Sequence, residues 1–192
     1  FRNYGANLIV LPKDNDKKIE FGELERLKEI LPENKVVGLA PFSYQAAKIN
    51  EQPTMIAATS LKDARVNNPY WLIQGEWPEN EGEVLLGHEI AKTVGLKPGD
   101  SFTLMTIKDE EKAKDSSDDK RSEGGISRID LDKNMTKKVL VMTGEVITGG
   151  AEESFVFMSF EDLAALVPDR AGRIDVLECS LEADGEELSG IA

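Results

Sequence analysis

Glu83-Val84-Leu85-Leu86-Gly87-His88-Glu89-Ile90-Ala91-Lys92-Thr93-Val94-Gly95-Leu96-Lys97-Pro98-Gly99-Asp100 is the stretch on which the fold turns. Its first five residues are a short apolar run of the kind that forms a buried strand. His88 to Val94 carry Ile90, Ala91 and Val94 inward on a short helix, and Gly95 follows where a left-handed C-cap sits. Leu96 to Asp100 is then a tight turn, because proline presets one central φ and glycine supplies the positive one. Phe102 to Ile107 alternates as a strand leaving that turn.

Toward the N-terminus, Asn7-Leu8-Ile9-Val10-Leu11-Pro12 is a continuous apolar run closed by a proline, which suits a strand buried on both faces. A polar loop, Lys13 to Lys18, follows it. Phe21 to Leu31 sets Leu24, Leu27 and Leu31 on one stripe and ends at Pro32, an amphipathic helix. Val36 to Ala40 and Thr54 to Thr59 read as two more strands. The opening is therefore strand, helix, strand, strand, an α+β start. Asn67 to Asp100 is rich in turn signals, with loops at Asn67-Asn68-Pro69 and Trp77 to Gly82 and short elements such as Tyr70-Trp71-Leu72-Ile73 between them.

Toward the C-terminus, Lys108 to Asn134 loses its aromatics and becomes charged, a composition that cannot offset the entropy of ordering. It reads as a flexible insertion, 108–134, between two strands of a hairpin. Lys138 to Val146 resumes as a strand, Thr148-Gly149-Gly150 reads as a hairpin turn, and Ser154 to Met158 as its return strand. Ser159-Phe160-Glu161-Asp162 has the form of a capping box opening a short helix through Leu163, Leu166 and Val167. Ile174 to Leu181 is the final strand. No internal repeat of fixed period is found.

The chain has 192 residues, of which 40% are apolar, enough to fill a core without staples. Its single cysteine, Cys179, forms no internal disulfide and reads as a small buried hydrophobe rather than a reactive thiol. With 36 acidic against 23 basic residues the net charge of -13 repels phosphate backbones and anionic lipid, so no nucleic-acid partner is expected. No apolar run approaches the ~20 residues that cross a bilayer. Both ends read as cut from a longer polypeptide.

Candidate chemistry is sparse. Histidine is the usual base near neutral pH, and His88 stands alone at a helix start, where a polar side chain caps or faces solvent. Asp115, Asp118 and Asp119 could hold calcium weakly, but a solvated charge run is the simpler reading. Met55, Met105, Met135, Met142 and Met158 suggest a soft-metal site, yet four of them lie in strand-like apolar runs that favour core filling. Gly149-Gly150 lies between strands with Glu152 and Glu153 beyond it, the wrong setting for a phosphate cradle. Trp71 and Trp77 flank the middle loops, either as a partner surface or as the roof of a small core. No catalytic, cofactor-binding or metal-binding residue is therefore assigned, and no cofactor.

An ordered series of motifs resembles the extracytoplasmic (periplasmic core) domain of MacB/FtsX-like ABC transporter permeases. Tyr4-Gly5-Ala6-Asn7-Leu8-Ile9-Val10-Leu11-Pro12-Lys13 is similar to the family's segment after its first transmembrane helix. Leu72 to Trp77, Val84 to Ala91, Val94 to Asp100, Leu140 to Gly150 and Phe155 to Leu166 follow in the family's order. The resemblance implies an α+β fold with a porter-like α/β lobe built from both chain ends, 1–66 and 138–192. A smaller, mostly β lobe, 67–137, is inserted in it, and the stretch at 108–134 departs from the family's compact hairpin. It further implies a non-catalytic part of an inner-membrane exporter, on the periplasmic or extracellular side. The implied partners are its own transmembrane helices, a cytoplasmic ABC ATPase, a second permease subunit in a dimer, and a periplasmic adaptor or lipoprotein. The competing classes are a free-standing exported protein that binds a small ligand or metal, and, weakest, an enzyme using His88 and the clustered Asp residues.

Overall fold

The computed structural model of the chain describes residues 8–13, 19–30, 36–107 and 135–182. The insertion expected at 108–134, with Asp115, Asp118 and Asp119, lies outside the described residues, as do the first residues of the N-terminal motif. The elements are β1 (Leu8–Val10), β2 (Ile19–Glu20), α1 (Phe21–Ile30), β3 (Val36–Ile49), β4 (Gln52–Thr59), α2 (Leu61–Asn67), β5 (Leu72–Gly75), β6 (Glu83–Gly87) and α3 (His88–Val94). They continue with β7 (Ser101–Ile107), β8 (Met135–Ile147), β9 (Phe155–Met158), α4 (Phe160–Leu166), β10 (Arg173–Ile174) and β11 (Val176–Leu181). The α+β reading holds, as a large mixed sheet with few helices.

Six strands close on themselves. β3 pairs β4, β4 pairs β9, β9 pairs β6, β6 pairs β8, β8 pairs β7, and β7 returns to β3. Alternation along each stave decides what lies within: Ala47 and Ile49, Ile56 and Ala58, Val156 and Met158, Val84 and Leu86, Leu140 and Met142, Phe102 and Leu104 form one buried cluster. Because β6 and β9 run antiparallel, the helices that follow them leave at opposite ends of the barrel. Ile90 and Ala91 of α3, and Leu163 and Leu166 of α4 with Val167 just after it, join the interior cluster, so each end is plugged.

Two strands outgrow the barrel. β3 is 14 residues long and β8 is 13. The first half of β3 pairs β11, which in turn pairs β1, and this extension packs with α1, β2 and β10 around Ile19, Leu24, Ile174, Leu177, Cys179 and Leu181. β5 lies along the second half of β8 as the opposite sheet edge. α2 crosses the outer face of the barrel wall, where Gly38, Ala40, Ala57 and Ala64 are small enough for close approach.

The strand expected at Val36 to Ala40 runs on through Pro41 to Ile49, and α2 has no counterpart in the sequence reading. Pro41 is tolerated because β11 alone pairs the strand there, and pairing with β4 begins only at Phe42. α3 ends as expected, with Gly95 at φ 74° in the left-handed region. The hairpin expected at Thr148-Gly149-Gly150 is corrected: β8 and β9 are not neighbours, since β6 lies between them. The glycines start a crossover through a 3-10 turn, Ala151–Ser154, over the end of β6. That crossover presses on Gly87, where a Cβ would stand 2.3 Å from the backbone of Glu153. Among the described residues no helix is long and apolar enough to cross a membrane.

Candidate functional site

His88 is the first residue of α3, with Gly87 as the N-cap, so its imidazole does not cap the helix. Instead Nδ1 pairs with Oε1 of Glu145 on β8. That hydrogen bond raises the His88 pKa above its ordinary value of 6.5, aided by the charges of Glu145, Glu153 and Glu89. Beside it, Glu153 Oε1 accepts from the backbone N–H groups of Thr148 at 2.8 Å and Gly149 at 2.6 Å. The Gly149 and Thr148 amides lower the Glu153 pKa. The chain's one imidazole is thus paired with a carboxylate, the Thr148 and Gly149 amides are filled by Glu153, and the Gly150 amide donates to Thr148 Oγ1 at 3.0 Å.

At the other end of the barrel Asp162 is fully buried. It accepts from Gly82 N–H at 3.0 Å, from Lys138 Nζ at 2.6 Å and from Ser159 Oγ at 3.0 Å. Ser159 Oγ in turn accepts the Asp162 N–H at 3.0 Å, the N-cap half of the capping box read from the sequence. Burial works against the charge of Lys138, and Asp162 outweighs it, so the Lys138 pKa is raised. A third polar set ties β3 to the last strands: Tyr44 N–H donates to Asp175 Oδ2 at 2.7 Å, and Arg170 Nε donates to Gln45 Oε1 at 3.1 Å.

The methionines are strand residues. Met142 and Met158 are fully buried in the barrel and Met55, Met105 and Met135 are partly buried. Among the described residues no group of three or more His, Cys, Asp or Glu is gathered as metal ligands. Cys179 is buried on β11, and burial pushes its thiol up to about 11.

One surface region carries chemistry that sequence reading passed over. The outer face of β3, β4 and β9 is aromatic: Phe42 stacks on Tyr44 with centroids 6.1 Å apart, Tyr44 meets Phe155 edge-on at 6.0 Å, and Phe155 meets Phe157 at 6.1 Å. Trp71 continues the series, 4.7 Å from Phe157 and stacked at 6.3 Å on Trp77, over which Arg65 lies at 5.7 Å. Trp71 therefore roofs a core layer. Tyr44 and Phe155 stay partly exposed and Tyr70 is exposed. Two carboxylates face this region, Glu178 from β11 and Glu152 from the 3-10 turn. Burial, and then the Glu152 charge, raises the Glu178 pKa. Burial, and then Glu178, Asp175 and Glu152, pushes the Tyr44 hydroxyl to about 12. The signal in the sequence was one charge in an alternating strand: Leu177, Cys179 and Leu181 point in, so Glu178 faces out beside the aromatics.

No family model matches this chain, and no curated protein matches it. Solved structures do. The periplasmic region of MacB from Actinobacillus actinomycetemcomitans matches with a TM-score of 0.57 at 8% identity, over 95% of this chain and 78% of that one. The extracellular domain of the noncanonic ABC-type transporter YknZ from Gram-positive bacteria matches with a TM-score of 0.54 at 10% identity, over 95% of this chain and 86% of that one. At such identities it is strand order and packing that are shared, and the chain has the fold of the extracytoplasmic domains of MacB-like ABC-type transporters.

Proposed function

We propose that this chain is the extracytoplasmic domain of an ABC transporter permease, which passes motion driven by ATP hydrolysis in a separate cytoplasmic ATPase to a substrate or partner outside the membrane. The domain itself performs no catalysis. Its partners are transmembrane helices on either side of it in the same polypeptide, a second permease subunit, and a periplasmic adaptor or lipoprotein. One observation carries the reading. β3 runs unbroken for 14 residues from the sheet that holds β1 and β11 into the barrel wall, a span of about 45 Å. The first and last described strands are neighbours in that sheet, with Leu8 opposite Cys179, so motion applied near both ends enters a continuous strut.

The plugged barrel supports the same reading, because a packed interior transmits displacement and does not absorb it. We assign the working surface to 67–137 and the membrane-proximal part to 1–66 with 138–192. The test uses the full-length permease with its ATPase in nanodiscs, spin-labelled at Val37→Cys or Leu72→Cys, both exposed positions. Distances between labels on the two subunits are expected to change between nucleotide-free and ATP-bound states, while the distance from position 37 to position 72 within one subunit stays constant. Inter-subunit distances that do not respond to ATP overturn the proposal.

A further inference from the structure

We propose that the outer edge of β5 is a docking site for an extended, basic segment of a partner protein, which adds to the sheet as a further strand. The edge is defined by hydrogen bonding and stands whether or not the chain belongs to a transporter. β5 closes one end of the large sheet, with β8 on one side and, among the described residues, no strand on the other. Just past its end the Glu76 N–H donates to the Thr143 carbonyl at 3.0 Å. The antiparallel register then makes Gln74–Glu145 and Leu72–Ile147 the hydrogen-bonded pairs, and the alternation turns the N–H and C=O of Ile73 away from β8. Among the described residues nothing else gives or takes a hydrogen bond there.

Sheet edges that stay solitary are guarded by a charge, a proline or a bulge. Leu72-Ile73-Gln74-Gly75 carries no charge and no proline, and Leu72 leaves 66% of its surface exposed. An incoming strand satisfies the Ile73 donor and acceptor and covers the Leu72 side chain. Four residues offer few main-chain bonds, so side-chain charge supplies much of the selectivity. That charge has one sign. From Val66 to Ala91 the chain holds Glu76, Glu79, Glu81, Glu83 and Glu89 and neither Lys nor Arg. Among the described residues only Glu81 of these meets a lysine, Lys138 at 3.4 Å, and Glu76, the residue after β5, is exposed. A partner strand with aliphatic residues against Leu72 and Lys or Arg beside Glu76 fits this edge. A second copy of the chain brings the same glutamates and a net charge of -13, and is repelled.

The test is an NMR titration of the isotope-labelled chain with a nine-residue peptide of alternating Val and Lys, beside one of alternating Val and Glu. The basic peptide is expected to shift the Ile73 and Gln74 amide signals and to slow hydrogen exchange at the Ile73 amide about tenfold, and the acidic one to do neither. Binding weakens as salt rises. Ile73→Pro removes the outward donor, leaves the Leu72 and Gln74 bonds to β8, and should abolish binding. Should that variant fail to fold, the basic peptide N-methylated throughout decides, since it keeps its charge and loses its ladder donors. Equal binding of the two peptides, retained binding of the methylated one, shifts confined to another face, salt-independent affinity, or no binding overturns the proposal. Self-association through Ile73 without peptide also overturns it, by assigning the edge to a second copy.

Discussion

His88 and Asp162 are both polar residues beside the barrel, and their surroundings give them different parts. His88 is partly exposed, and its pairing with Glu145 raises its pKa above 6.5. A group whose folded value lies above its unfolded one contributes stability that is complete below the unfolded value and vanishes as pH rises through the folded value. As the only histidine, it yields a single imidazole signal in an NMR titration. Its midpoint is expected above 6.5 in the native protein and nearer 6.5 in Glu145→Gln. A midpoint unchanged by that substitution removes the pair. Neither the partner nor the direction of the shift was legible in the sequence, where Glu145 is one acid among many. Glu178 carried one signal, a charge in an alternating strand, but only strand pairing shows which neighbours it faces.

At the scale of elements, α4 shows local and tertiary signals agreeing. Ser159 and Asp162 stand at capping-box spacing; the Asp162 N–H donates to Ser159 Oγ, and the Asp162 carboxylate accepts from the Ser159 hydroxyl. Sequence does not reveal that the same carboxylate also receives Gly82 and Lys138 from elements remote in the chain. Asp162→Ala therefore removes more than a cap and leaves the partly buried Lys138 ammonium with only the exposed Glu81 carboxylate, 3.4 Å away. It is expected to cost about 3–5 kcal/mol in urea unfolding, against about 1 kcal/mol for Ser159→Ala. Equal losses would reduce Asp162 to a cap. α2 had a sequence signal of its own, Ser60 three residues before Asp63, though no side-chain cap forms there. What holds α2 is its landing on Gly38 and Ala40, together with the bond from Asn67 Nδ2 to the Glu178 carbonyl at 3.0 Å. The last of these contacts depends on a strand more than a hundred residues away.

Over the whole molecule, the closed ring separates staves from edges. β4, β6 and β9 are paired on both sides and buried, while β1 and β5 are edges with Ile9 59% and Leu72 66% exposed. Amide hydrogen exchange is expected to be slowest in β4, β6, β9 and the barrel half of β3, and fastest in β1 and β5. Exchange in β6 as fast as in β5 would contradict closure. The sequence by itself determined the α+β class, the strand–helix–turn–strand unit from Glu83 to Ile107, the capped helix α4 and the burial of Cys179, because these rest on periodicity, turn chemistry and composition within a few residues. Only the tertiary structure decided that β6 lies between β8 and β9, that six strands close into a plugged barrel, that β3 passes through Pro41, and which carboxylates meet the aromatic face. These depend on hydrogen-bond partners far apart along the chain, and an isolated strand pattern carries the same alternation whichever neighbour completes its ladder.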